Sequence, residues 1–169
     1  MTTAEVATCT GPQRIKQFLW LVAKERLLTN GERHWRHLAD NPLCKLCRTP
    51  LETTLHVLPD CEFPTQFWNK IIPRSRWATF YGMELGTWLE TNLSKKLDLL
   101  DENWDVSFGV SLWRLWQGQN NCIFNGLDPL VDRKIYDVRN YVASLKKATS
   151  SCLHLGQNGL RRLDHMIWC

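Results

Sequence analysis

No long apolar run occurs in this sequence. The longest, Phe18 to Ala23, is six residues, far short of the roughly 18 that a membrane span needs, so no membrane partner is expected. Met1 to Thr10 carries Glu5 and no Lys or Arg, and so lacks the basic region and apolar core of a secretion signal. The expectation is an intracellular protein, nuclear or cytoplasmic and not secreted, whose thiols stay reduced. Without a secretion signal the single glycosylation sequon, Asn92-Leu93-Ser94, carries little weight. Net charge is low, with 21 Lys and Arg against 17 Asp and Glu, which excludes a histone-like tail or a polybasic membrane anchor. Nine Gly and seven Pro in 169 residues exclude a collagen-like chain.

Aromatic and thiol side chains, by contrast, are abundant, at nine Trp and seven Cys. Each buried Trp removes about 150–250 Å² from water, so this much indole requires a substantial core or a large aromatic surface. An odd number of cysteines fits poorly with a closed disulfide framework. Cys9, Cys122, Cys152 and Cys169 are scattered, whereas Cys44, Cys47 and Cys61 fall within eighteen positions and share the interval with His56.

Apolar periodicity predicts helices and no strand. Pro12 to Leu28 is expected to be helical, with Pro12 opening it and Ile15, Phe18, Leu19 and Val22 on one face. Trp20, Lys24 and Leu27 lie on a second face, which suggests cover from two sides. Thr29-Asn30-Gly31-Glu32 is a capping box, predicted to start a short helix that reaches about Ala39. Phe63 to Ile72 is helical by spacing and is ended by Pro73, residues 74–81 are expected to be irregular, and Glu84 to Leu100 is expected to be helical. Asp105 to Phe124 is the densest apolar segment and Asn125-Gly126 stops it. Asp128-Pro129 restarts a helix whose stripe is Val131, Ile135, Val138, Val142 and Leu145. After Ser150 the pattern fades. The predicted fold class is all-α, a helical domain with one Cys/His loop and no substantial sheet. Residues 1–11 are expected to be a flexible N-terminus, 12–72 the domain that bears the Cys/His loop, 73–150 a Trp-rich helical extension and 151–169 a poorly ordered tail.

The chemistry is concentrated in Cys44-x2-Cys47-x8-His56-x4-Cys61. Zn²⁺ takes four thiolate or imidazole ligands in a tetrahedron, and a set of four protein ligands leaves no open position, which marks a structural rather than a catalytic ion. A tight turn brings the Cys-x2-Cys pair to one ion, and a helical turn over Glu52 to Leu58 would present His56. The same residues also allow three buried thiols with a core imidazole, or a redox Cys-x2-Cys pair, although no βαβ context surrounds the pair.

The interval of eight differs from the short retroviral-type knuckle, Cys-x2-Cys-x4-His-x4-Cys. From about Ile15 to Trp68 the chain resembles the zinc-binding domain of plant LINE-type (non-LTR) retrotransposon reverse transcriptases. The resemblance is carried by Lys16-Gln17-Phe18-Leu19-Trp20, Leu28-Thr29, Arg33 with Arg36, the Cys pair, Glu52-x3-His56-Val57-Leu58, Cys61 and Phe67-Trp68. Leu112-Trp113-x2-Trp116-x3-Asn120-x2-Ile123-Phe124 resembles the Trp-rich helix that commonly follows that domain. One departure is Gln117-Gly118-Gln119-Asn120, where a Lys/Ala-Arg-Asn run is typical. The resemblance implies one structural Zn²⁺ on Cys44, Cys47, His56 and Cys61. It also implies an origin in a polyprotein where such domains lie between polymerase and ribonuclease H regions, either of which is a candidate partner. The chain contains no Tyr/Phe-x-Asp-Asp polymerase signature and no paired carboxylates in a strand pattern, and no catalytic residue is assigned.

Residues 13–48 hold eight basic groups against three acidic ones, whereas 49–169 balance at thirteen each. A basic face beside a zinc loop could neutralise phosphates. Arg14, Lys16, Arg26, Arg33, Arg36, Lys45 and Arg48 are the candidate contacts to RNA or DNA, with Trp35 as a base-stacking candidate. A solvated helix face is the plainer reading of the same charges. His34-x2-His37, and Cys152-x-His154 with His165-x3-Cys169, have metal-ligand residue types without supporting partners. The expected function is a non-catalytic structural-zinc module of retroelement origin contacting nucleic-acid backbone. The alternative is a protein-interaction scaffold, or a truncated relic with no nucleic-acid binding of its own.

Overall fold

A computed structural model of the chain describes residues 12–48, 51–94, 103–126 and 130–159, the side chains of 149–159 excepted. The described residues are helical and contain no strand, and a single antiparallel bridge joins Leu43 to Leu51. Helix α1 (Gln13–Ala23) buries the expected face of Ile15, Phe18, Leu19 and Val22. It ends five residues earlier than periodicity predicts, because Glu25 adopts a left-handed conformation (φ 52°) that turns the chain. The turn returns Leu27 to the core. The second face is not covered as expected, and Trp20 stays 42% exposed.

Thr29 caps α2 (Asn30–Trp35) by accepting the Glu32 backbone N–H at 3.2 Å. The capping box closes on one side only. The Glu32 carboxylate turns to Arg36, at 2.6 Å, and more distantly to Arg26, at 3.6 Å, while the Thr29 N–H donates to the Leu27 carbonyl. A charge-assisted bond to a guanidinium is stronger than one to a neutral amide. This helix stops at Trp35 rather than near Ala39, with left-handed His37 (φ 58°) just beyond it.

Helix α3 (Glu62–Ile71) matches its pattern, and Ile72 is extended ahead of Pro73. Residues 74–81 are more regular than expected: a 3-10 turn, Arg74–Arg76, leads into α4 (Trp77–Tyr81). The Trp77 indole N–H bonds the Ile72 carbonyl at 3.0 Å, and burial of Phe80 anchors the segment. In α5 (Leu85–Leu93), Asn92 is buried, donating to the Trp88 carbonyl and accepting from the Trp104 indole. That burial disqualifies it as a glycan acceptor. Helix α5 ends at Leu93 rather than running on to Leu100, because Ser94 turns extended (ψ 133°) and breaks the helix; residues 95–100 lie outside the described residues.

The long helix α6 (Trp104–Asn125) ends as its sequence predicts, with Gly126 left-handed at φ 64°. Helix α7 (Val131–Gly159) buries Val138 and Val142 from its stripe and continues past Ser150, where the apolar pattern fades. The flexible N-terminus, the Asp128-Pro129 restart, the end of the tail and the side chains of Cys9, Cys152, His154, His165 and Cys169 lie outside the described residues.

Helix α6 is the organising element, packed against α7, α5, α1 and the turn that carries His56. A single apolar cluster runs from Ile15 through Trp68 and Trp88 to Val142. Among the described residues no helix is long and apolar enough to cross a membrane.

Candidate metal centre

Three local structures deliver the Cys/His set. The Asn41 carboxamide accepts the Leu43 N–H at 2.8 Å, and the Glu52 N–H reaches back to the Pro42 carbonyl at 2.9 Å, so the loop leaves and returns through one neck. Within it the Arg48 N–H bonds the Cys44 carbonyl at 2.9 Å, and Arg48 is left-handed (φ 56°). This tight turn presents Cys44 and Cys47 together. On the return, the Thr53 hydroxyl accepts the His56 N–H, and a helical turn widens into a π turn, His56–Asp60, closed by the Cys61 N–H on the His56 carbonyl at 2.7 Å. In an α-helix, residues five apart point about 140° from each other. The i→i+5 closure of a π turn instead brings His56 and Cys61 to one side. Pro59 has no N–H for an ordinary helical bond, and the wide turn accommodates it.

All four donor atoms lie within 4.8 Å of one another, with Cys44 Sγ 3.8 Å from Cys61 Sγ and Cys47 Sγ 3.3 Å from His56 Nε2. Zinc–sulfur bonds of ~2.3 Å in a tetrahedron require sulfurs about 3.8 Å apart. The cluster therefore fits one zinc ion in size as well as in donor chemistry. Cys44 and Cys61 are buried, and Cys47 and His56 half-buried.

The electrostatics favour a thiolate at Cys44 and a protonated thiol at Cys61. The Cys61 thiol donates to Cys44 and lowers the Cys44 pKa to about 3, with His56 and two backbone N–H groups adding to the effect against burial. The same hydrogen bond and burial push the Cys61 thiol well above its ordinary value. His56 is raised chiefly by its hydrogen bond to the Cys44 thiolate. A bound dication would displace the protons that these groups share.

Residues 4–68 match the family model described as zinc-binding in reverse transcriptase. That stretch is similar to a reverse-transcriptase zinc-binding domain. Over 145 residues the chain is also 32% identical to a protein of Arabidopsis thaliana named for ribonuclease H, covering 86% of this chain and 23% of that protein. The chain thus spans about a quarter of that relative's length. No solved structure matches it. The two matches are consistent with a plant retroelement origin.

The basic candidates around this Cys/His set are dispersed. Arg14 and Lys16 sit near the start of α1, and Arg26 lies beyond its other end, past the turn at Glu25. Arg26 and Arg36 share Glu32, which takes up part of their charge. Arg33 lies over the Phe124 ring, 5.8 Å from its centroid. Lys45 and Arg48 are exposed on the Cys loop. Trp35 is 70% exposed, beside His34, His37 and Asp40 around a shallow cavity. His34 and His37 join no cluster of three or more metal donors among the described residues.

Two buried polar residues at the centre were given no role by sequence reasoning. Glu52 accepts the Asn30 N–H at 2.7 Å, tying α2 to the neck of the loop. Burial pushes its carboxyl up to about 7, against the pull of that N–H. Its place in the Glu52-x3-His56 motif was the available signal. The other is Gln119, wholly buried on α6. Replacing Glu52 by Ala is expected to cost about 1–3 kcal/mol by orphaning the buried Asn30 N–H. Gln, which keeps the acceptor, should cost less. Urea unfolding of the zinc-loaded protein measures both, and equal losses would show that the hydrogen bond is not what matters.

Proposed function

We propose that the chain is a non-catalytic, zinc-organised module that contacts single-stranded RNA or DNA through the surface around α2 and the Cys loop. Cys44, Cys47, His56 and Cys61 hold one structural Zn²⁺, which fixes the loop bearing Lys45 and Arg48. Arg33 comes from α2 and Arg36 is the residue that caps its end, and Arg14, Lys16 and Arg26 supply longer-range attraction. The observation that carries this reading is Trp35, an indole 70% exposed between basic residues, where a core role would have buried it. Exposed rings flanked by cations are how proteins hold single strands without reading sequence.

The test is binding of a labelled single-stranded RNA to zinc-loaded protein at two salt concentrations. Affinity should fall steeply with salt, by a log–log slope of about 0.7 for each phosphate neutralised. Arg33→Ala should flatten the slope, and Trp35→Ala should weaken binding about 5- to 150-fold, the loss of one stacked base. Salt-independent binding, or none at low salt, would sink the proposal.

A second reading, a protein-interaction scaffold, is favoured by an open cavity of about 360 Å³ between α3, α6 and α7, lined by Ile71, Trp104, Ile135, Val138 and Val142. The candidate partners are then the reverse transcriptase or ribonuclease H regions of a parent polyprotein. Failure of RNA binding, with capture of such a region weakened by Val138→Asp, would favour that alternative.

A further inference from the structure

Four side chains of α6, Phe108, Leu112, Leu115 and Gln119, follow at steps of four, three and four, the spacing of one buried helical stripe. The first three are apolar. The fourth is a carboxamide with no exposed surface. Apolar residues normally fill such a stripe, and a buried amide persists where it has a partner. The partner here is a sulfur: Gln119 Nε2 lies 4.0 Å from Cys44 Sγ, across 75 positions of sequence. A thiolate only accepts, so the N–H end of the amide is the end that faces it.

The approach is close by construction. At Gly118, a Cβ would lie 3.2 Å from the Phe63 ring and 3.1 Å from the Lys134 side chain. Phe63 stands two residues after Cys61, so α6 comes against both halves of the Cys/His set at adjacent positions.

We propose that Gln119 is a positioning residue of the metal centre, its carboxamide donating an N–H to the Cys44 thiolate and coupling the Trp-rich helix to the ion. The inference rests on the reading of Cys44, Cys47, His56 and Cys61 as the zinc ligands. Hydrogen bonds to ligating atoms orient the ligand and draw charge from it, and losing one such bond typically costs metal affinity about 10- to 100-fold. The metal centre is then completed from outside residues 4–68.

The experiment compares wild type with Gln119→Leu, which continues the apolar stripe, and Gln119→Met, which keeps the unbranched length without a donor. Zinc affinity is measured by chelator competition. Cobalt(II) is substituted to read the sulfur-to-metal charge-transfer band, and near-ultraviolet circular dichroism of the metal-loaded proteins reports the Trp packing. The expected result is a 10- to 100-fold loss of zinc affinity in both variants and a shifted cobalt band, with wild-type Trp packing in at least one of them. Affinity within twofold of wild type in either folded variant overturns the proposal, and so does weakened affinity with the cobalt band unmoved, which would mark a purely structural role. A wild-type chain that binds neither metal removes the centre itself, a failure distinct from failure at Gln119.

Discussion

Adding a zinc chelator under reducing conditions should unfold the loop from Asn41 to Cys61 and much of the helical body with it. Structural zinc in small peptides contributes about 10–16 kcal/mol of apparent binding free energy, against a total stability of about 5–15 kcal/mol for an ordinary domain. The half of the loop that carries Cys44 and Cys47 has little else to hold it. Its described backbone makes one bridge, Leu43 to Leu51, and a few turn hydrogen bonds. Without a dication the three sulfurs, within 4.8 Å of one another, cannot all ionise, and only shared protons hold the four groups together. The damage spreads because Val57 and Leu58, in the π turn between two ligands, are wholly buried in the common core. Helical ellipticity should fall and Trp emission shift to longer wavelength on chelation, with recovery on adding zinc but not magnesium. Metal analysis should give one equivalent of zinc, reduced in Cys61→Ser. A chelated protein that melts at the same temperature as the zinc form would overturn this account.

The centre was readable from sequence because metal ligation constrains residue type and interval together. The spacing of Cys44, Cys47, His56 and Cys61 singles out the four side chains that converge. The helices were readable where one stripe meets one core, as in Ile15 to Val22 and Val131 to Val142. What could not be read depends on contacts distant in sequence. The early end of α1 rests on a left-handed Glu25 that is favoured only because Leu27 then finds the core. The Glu32 carboxylate had two possible partners, the Thr29 N–H and the Arg36 guanidinium, and local pattern cannot rank them. Gln119 looks like an interruption of an apolar stripe until Cys44 is placed beside it. The π turn was missed because α-helical spacing is the default, although Pro59 within the His56 to Cys61 interval was a local sign of trouble for an α-helix.

Trp68→Ala should be the most damaging single substitution away from the ligands. Trp68 is fully buried, and its ring lies 5.1–6.4 Å, centroid to centroid, from those of Phe67, Phe80, Trp88, Trp104 and Phe108. Phe or Trp to Ala in a core costs about 3–5 kcal/mol through lost transfer energy and the cavity left behind. For a chain of this size that lowers the melting temperature by about 6–20 °C. The indole N–H also donates to the Leu58 carbonyl at 2.9 Å, and Leu58 stands between His56 and Cys61. Trp68→Phe keeps most of the ring volume but orphans that carbonyl, which separates the two effects. Its melting temperature should fall less than that of Trp68→Ala, while its zinc affinity falls with the slackened π turn. Trp35→Ala, at an exposed site, should move stability by no more than about 0.5 kcal/mol. Thermal unfolding and chelator competition on the three variants decide the matter. Wild-type zinc affinity in a folded Trp68→Phe protein would mean that the aromatic core and the metal centre are held independently.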